Sequence, residues 1–236
     1  MTRFFSNDRF GINANNSNNS NNQLKNHYLC KVKTIDISSA DFIKCKFIDF
    51  LLTESVTCIG NEVMYGINKK VADLVYLKDG KIYAVEIKAQ NDNLLKLESQ
   101  VANYRSVFDY VVIVVTENHI KQVLEKTDSS IRIFIIKSDS SIGVIQRGKK
   151  QEIVDKKSII ATITGSYLKA NMRVKNIDID QLKVKLEKKS KLYIRNMLYD
   201  FFKTRLVRQY EIFLNEKGSQ THIEDLGALS HNNYVE

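Results

Sequence analysis

The residues with the clearest chemical potential lie in VADLVYLKDGKIYAVEIKAQ, positions 71–90. Asp79-Gly80 is the dipeptide favoured at the centre of a two-residue type I′ hairpin turn, where both positions need positive φ. With that turn, Lys78 pairs with Lys81, and the same register carries Asp73 opposite Glu86 on one face of the sheet, their Cβ atoms about 5 Å apart. Period-two alternation adds Lys88 to that face. Two opposed carboxylates repel unless a positive group lies between them or water screens them. A hard divalent cation resolves the conflict: carboxylate oxygens, the carbonyl of Ile87 and several waters form the ligand set that Mg²⁺ or Mn²⁺ prefers. Lys88 then stands beside the ion, where an ammonium can neutralise charge building on a phosphate. The competing reading is a surface ion cluster on an exposed hairpin. The apolar neighbours Val71, Val75, Ile82, Ala84, Val85 and Ile87 argue instead for buried strands, where a charge needs a partner.

The surrounding pattern supplies the elements that must hold this hairpin. Ser38 or Ser39 can cap a helix over Ser38 to Leu52, with Phe42, Ile43, Phe47, Phe50 and Leu51 at three- and four-residue steps. Strand-length runs rich in Val, Ile and Tyr follow at Val63–Ile67, Ala72–Lys78, Lys81–Lys88, Tyr110–Thr116 and Ile131–Lys137. Leu94, Leu95, Leu97, Val101, Tyr104 and Val107 recur with helical spacing between the third and fourth of these, and a short helix is expected over Glu117–Lys126. The predicted class is therefore α/β, a mixed sheet flanked by helices, with later strands joined by helical crossovers. A hairpin is expected around Arg147–Lys150. Beyond it the chain turns helical and basic, and Ile194, Leu198, Phe201, Phe202, Leu206, Tyr210 and Phe213 form one apolar stripe.

In order and spacing, Glu62, Asp73 and Glu86-Ile87-Lys88 resemble the PD-(D/E)xK nuclease superfamily, whose restriction-endonuclease-like core is a helix, a three-stranded meander, a helix and a further strand. Gln100 and Tyr104, in QVANY, match the QxxxY motif of its RecB-like branch. Over Asn61–His119 the sequence is especially similar to a small bacterial group within that superfamily bearing a locus-tag name that begins with sce. Ala72 stands where the superfamily's namesake pattern has Pro. The resemblance implies a Mg²⁺-dependent (or Mn²⁺-dependent) phosphodiesterase, an endo- or exonuclease acting on DNA before RNA. Asp73, Glu86, Ile87 and Glu62 would hold the cation, Lys88 would assist the attacking water, and Gln100 and Tyr104, four apart on one helix face, would look into the site. The alternative is a catalytically silent nucleic-acid-binding or protein-interaction module on the same fold. Asp92 and Lys96 are expected to flank the site, and His119 is expected at the surface.

The 236 residues carry 36 Lys+Arg against 27 Asp+Glu, a formal charge of +9. The excess is local, since residues 147–217 hold 18 basic and 8 acidic side chains and residues 1–146 hold 18 and 16. A positive segment on a balanced chain suggests nucleic acid as partner, gripped through 147–217. The expected organisation is a flexible Asn-rich segment over 1–27, a nuclease-like core over 28–146, a basic helical region over 147–217 and a loosely ordered tail over 218–236. No apolar run approaches the roughly 20 residues of a bilayer span, and no secretory core is apparent, which predicts a cytoplasmic protein. Cys30, Cys45 and Cys58 are too few and too scattered for a disulfide framework or zinc knuckle and read as buried apolar side chains. An apolar stripe on the last helix could support a homodimer or larger assembly.

Overall fold

The computed structural model describes residues 39–152, 155–174 and 176–230. The Asn-rich segment 1–27 and Cys30 lie outside the described residues. Helix α1 spans Ala40–Thr53, with the Ser39 hydroxyl accepting from the Phe42 N–H at its start. Then come β1 (Cys58–Tyr65), β2 (Lys70–Lys78), β3 (Lys81–Lys88), α2 (Leu97–Arg105), β4 (Tyr110–Thr116), a 3₁₀ turn (Glu117–His119), α3 (Ile120–Lys126), β5 (Arg132–Ile136) and β6 (Ile142–Arg147). The helical remainder is α4 (Lys156–Thr162), α5 (Gly165–Asn171), α6 (Ile179–Glu187), α7 (Lys191–Glu216), a 3₁₀ turn (Ile223–Asp225) and α8 (Leu226–Leu229).

The six strands lie in one sheet in chain order. The β1–β2, β2–β3 and β5–β6 pairs are antiparallel, while β3–β4 and β4–β5 are parallel. The fold is thus mixed α/β with flanking helices. Parallel neighbours require a crossover, and α2 and α3 supply them. β4 and β5 are buried over almost their whole length, as continuous Val/Ile runs demand. The terminal hairpin differs from the sequence expectation. Lys137 and Ser141 close the β5–β6 turn through a backbone bond, so Arg147 ends β6 and does not begin a hairpin. Gly148, at φ 67°, merely turns the chain away past the backbone of Arg132.

The basic region is not a separate domain. The described basic helices fall in the same compact unit as the six-stranded sheet. The reason is the apolar stripe itself. Ile194, Leu198, Phe201, Phe202, Leu206, Tyr210 and Phe213 are all buried, and Phe202 stacks on Phe108 at a centroid separation of 5.9 Å. The stripe expected to support a dimer is therefore spent within the chain. The tail packs as well: Thr221 donates both its N–H and its hydroxyl to Asp49, and Leu226 and Leu229 are buried. Residues 231–236 lie outside the described residues. Cys45 and Cys58 are buried free thiols, and burial raises their pKa values to about 11 and about 12. Among the described residues no helix is long and apolar enough to cross a membrane.

Gly60 packs directly against Leu206 of α7. A Cβ there would stand 2.6 Å from Leu206 Cδ2 and 2.9 Å from Val63 Cγ2. Gly60→Ala is expected to cost about 1–3 kcal/mol through overpacking. In a Leu206→Ala background most of that cost should vanish, a non-additivity that urea denaturation of the four proteins would measure.

Candidate active site

The β2–β3 turn is the predicted one. Asp79 and Gly80 have φ of 51° and 68°, and the register runs from Lys78↔Lys81 to Leu74↔Val85. At the next position the ladder changes character, because the Ile87 N–H donates to Asp73 Oδ2 at 2.7 Å. Asp73 thus serves as a strand-end acceptor and is held at the mouth of the site, while Glu86 is 3 % exposed.

Glu86 is surrounded by donors from two elements. Its Oε1 lies 2.8 Å from the Lys88 ammonium and 2.5 Å from Gln100 Nε2, and its Oε2 accepts from the Tyr104 hydroxyl at 2.5 Å. Gln100 and Tyr104, four apart on α2, thus both reach the Glu86 carboxylate. Tyr104 is also a core ring, buried against Tyr65 and Phe108. Burial, then the charges of Glu86 and Asp73, raise its phenol well above the ordinary range, so it donates to Glu86 as a neutral group. Among the described residues the buried Gln100 Oε1 finds no hydrogen-bond partner. A cleft of about 350 Å³ opens here, lined by Asp73, Glu86, Ile87, Lys88 and Gln100 together with Lys44, Asp92, Asn93 and Lys96.

Asp73 carries the electrostatic strain. Desolvation first, then the neighbouring Glu86 charge, push its carboxyl up to about 6, against lowering by the Ile87 N–H, Lys44 and Lys88. A carboxyl that binds its proton more tightly folded than unfolded contributes most below its unfolded pKa and loses that contribution as pH rises to about 6. Asp73→Asn keeps an acceptor for Ile87 and removes the charge. It should stabilise the protein at pH 7–8 by about 1–3 kcal/mol, with the gain shrinking toward pH 4. Thermal melts across that range provide the measurement.

Glu62 does not join the cleft. The register that pairs Asn61 with Leu74 and Val63 with Ala72 sets it opposite Asp73. Its φ of 51°, however, breaks the alternation, bringing Val63 to the same side as Gly60. The Glu62 side chain is 61 % exposed, and its Oε1 meets the Lys44 ammonium at 3.4 Å. Lys44 itself is a residue that the sequence reading passes over. It follows the three- and four-residue steps to Phe47, Ile48 and Leu51, all buried in α1, and a lysine in such a stripe was the available signal. Asp92 holds the turn after β3, its Oδ2 accepting from the Ala89 N–H at 2.8 Å, and does not cap α2. His119 is buried rather than at the surface, with Nε2 2.9 Å from the Ala89 carbonyl. From the 3₁₀ turn after β4 it braces the same turn. Among the described residues no group of three His, Cys, Asp or Glu side chains converges as a metal cluster; the acidic pair is Asp73 and Glu86.

Residues 34–230 match the family described as bacteriophage P4 protein cII. The chain belongs to this family. Protein cII of Enterobacteria phage P4 is 25 % identical over 206 residues, an alignment covering 80 % of this chain and 76 % of that protein. A solved structure, the SPO1766 protein of unknown function from Silicibacter pomeroyi, is 13 % identical, with a TM-score of 0.38 over 49 % of this chain and 76 % of that one. The cII match takes in every element from α1 to α8, so the cleft and the basic helices both lie inside the family's shared region.

Proposed function

We propose that this cII-family protein is a metal-dependent nuclease that hydrolyses phosphodiester bonds, of DNA before RNA, on a restriction-endonuclease-like core. The supporting architecture is the helix α1, the meander β1–β2–β3, the crossover α2 and the parallel strand β4. The observation that carries the reading is the convergence of Asp73, Glu86 and Lys88 at the point where the β2–β3 ladder gives way to a side-chain bond.

The residues fit a hard divalent cation. Asp73 and Glu86 share one polar cleft, one of them held protonated up to about pH 6 by burial and its neighbour's charge, and among the described residues the buried Gln100 Oε1 is an acceptor with nothing to accept. Asp73, Glu86 and the Ile87 carbonyl would hold Mg²⁺ or Mn²⁺, with Glu62 kept to the rim by Lys44. When bound, such an ion supplies Lewis-acid polarisation of the phosphate and lowers the pKa of water. The chain's own groups do the rest. Lys88 offsets charge developing on the phosphate, Gln100 and Tyr104 fix the Glu86 carboxylate, and the Ile87 N–H fixes Asp73. Exposed basic side chains of α6, α7 and their connection, among them Lys185, Lys188, Lys191, Lys203 and Arg208, would grip phosphates without reading sequence, which gives salt-sensitive binding.

The test is an incubation of wild type and Glu86→Ala with labelled single- and double-stranded DNA and RNA, in Mg²⁺, Mn²⁺ or chelator. Cleavage by the wild type that disappears both with chelator and in Glu86→Ala supports the proposal. Salt-dependent binding with no cleavage of any substrate in either metal would select the silent binding module instead.

A further inference from the structure

We infer that Lys44 is a built-in counter-cation of the cleft, occupying the place in its charge balance that a divalent ion takes on binding Asp73 and Glu86. The inference rests on the cation reading above and adds a residue that opposes loading of the ion. Three observations lead to it. First, the Lys44 side chain is 6 % exposed, whereas the carboxylates nearest its ammonium, Glu62 at 3.4 Å and Asp41 at 3.6 Å, are 61 % and 52 % exposed. A desolvated ammonium needs close, well-ordered partners, and these two lie at long range and mostly in water. Second, Lys44 lines the same cleft as Asp73 and Glu86. Third, Lys88 is committed to Glu86 at 2.8 Å, whereas Lys44, the lysine that α1 contributes to the lining, is paired with carboxylates other than Asp73 and Glu86.

The cleft lining then holds three ammonium groups, Lys44, Lys88 and Lys96, against three carboxylates, Asp73, Glu86 and Asp92. An incoming divalent ion adds two positive charges, and Coulomb repulsion sets it against Lys44. Glu62 at 3.4 Å and Asp41 at 3.6 Å hold the Lys44 ammonium against that repulsion. The chain thereby stays folded without the ion, at the expense of weaker ion binding.

The experiment is a Mn²⁺ titration followed by electron paramagnetic resonance of free Mn²⁺, without nucleic acid, on wild type, Lys44→Met, Lys44→Arg and Asp73→Asn. Lys44→Met should bind Mn²⁺ about tenfold more tightly than wild type, Lys44→Arg within about twofold, and Asp73→Asn at least about tenfold more weakly. Equal or weaker binding by Lys44→Met, with loss in Asp73→Asn, overturns the counter-cation and leaves the ion site standing. Mn²⁺ binding that is absent from wild type or indifferent to Asp73→Asn overturns both. Lys44→Gln carries the same expectation should the methionine variant fold poorly, and the rise in melting temperature on adding Mn²⁺ gives a second readout, larger in the Lys44 variants than in wild type.

Discussion

Arg195→Ala is expected to lower the unfolding free energy by about 3–5 kcal/mol, because it strands a buried carboxylate. Asp109 is fully buried, and its two oxygens accept from Arg195 Nε at 2.5 Å and Nη2 at 2.8 Å. Oδ2 also accepts from the Ile82 N–H at 2.9 Å, and the backbone of Asp109 bonds to Ile82 and Gln151. Arg195 reaches further, donating to the Gly80 carbonyl at 3.1 Å. One guanidinium therefore ties α7 to the β3–β4 edge and to the turn that sets the register of Asp73 and Glu86. Asp109→Asn in the Arg195→Ala background keeps an acceptor for Ile82 and removes the stranded charge, so the double variant should recover much of the loss. Denaturant melts of the cycle give the coupling directly. Equal stabilities for wild type and Arg195→Ala would show that the pair contributes nothing net.

The parts of this fold legible in the sequence are those fixed by local chemistry. Asp79-Gly80 dictates its turn, the turn dictates the register, and the register brings Asp73 and Glu86 to the end of the ladder. Gln100 and Tyr104 could be placed because four residues on a helix make one face. Glu62 could not, since nothing in the residues around it announces the left-handed backbone that breaks the alternation of β1. Lys44 was hidden for a different reason: a lysine scores as polar wherever it stands, and only the stripe of Phe47, Ile48 and Leu51 around it shows that its position is interior.

Long-range packing was the least legible feature. The charge of residues 147–217 suggested a module apart, yet charge describes the outer side of α6 and α7 and says nothing of what their apolar sides cover. The close approach at Gly60 and the Phe202–Phe108 contact are the sheet's side of that interface. Neither can be assigned until both partners are known. Asp155 and Thr164 cap the short helices α4 and α5, which lie inside the stretch expected to be helical but show no period that separates one from the other. The tail was read as loose for want of apolar density, but Thr221 and Leu226 anchor it through a few specific contacts.

On the nuclease reading, Lys88→Met should slow DNA cleavage by about 10³-fold while the protein remains folded. Methionine keeps most of the lysine's length and suits a position that is 9 % exposed. Glu86 loses an ion pair but retains Gln100 and Tyr104 as donors, so the melting temperature should fall by only a few degrees, and Mn²⁺ should restore part of it by binding the freed carboxylate. Restored stability without restored cleavage separates the two roles of this ammonium. As a partner of Glu86 it is replaceable by a cation, whereas as the group that meets charge growing on a phosphate it has no substitute among the donors already committed to Glu86. Lys88→Arg should recover little activity, since a planar guanidinium cannot occupy the compact position of an ammonium. Single-turnover cleavage of labelled DNA at saturating Mg²⁺ decides the matter: a Lys88→Met rate equal to wild type removes Lys88 from the chemistry and leaves it a structural partner of Glu86.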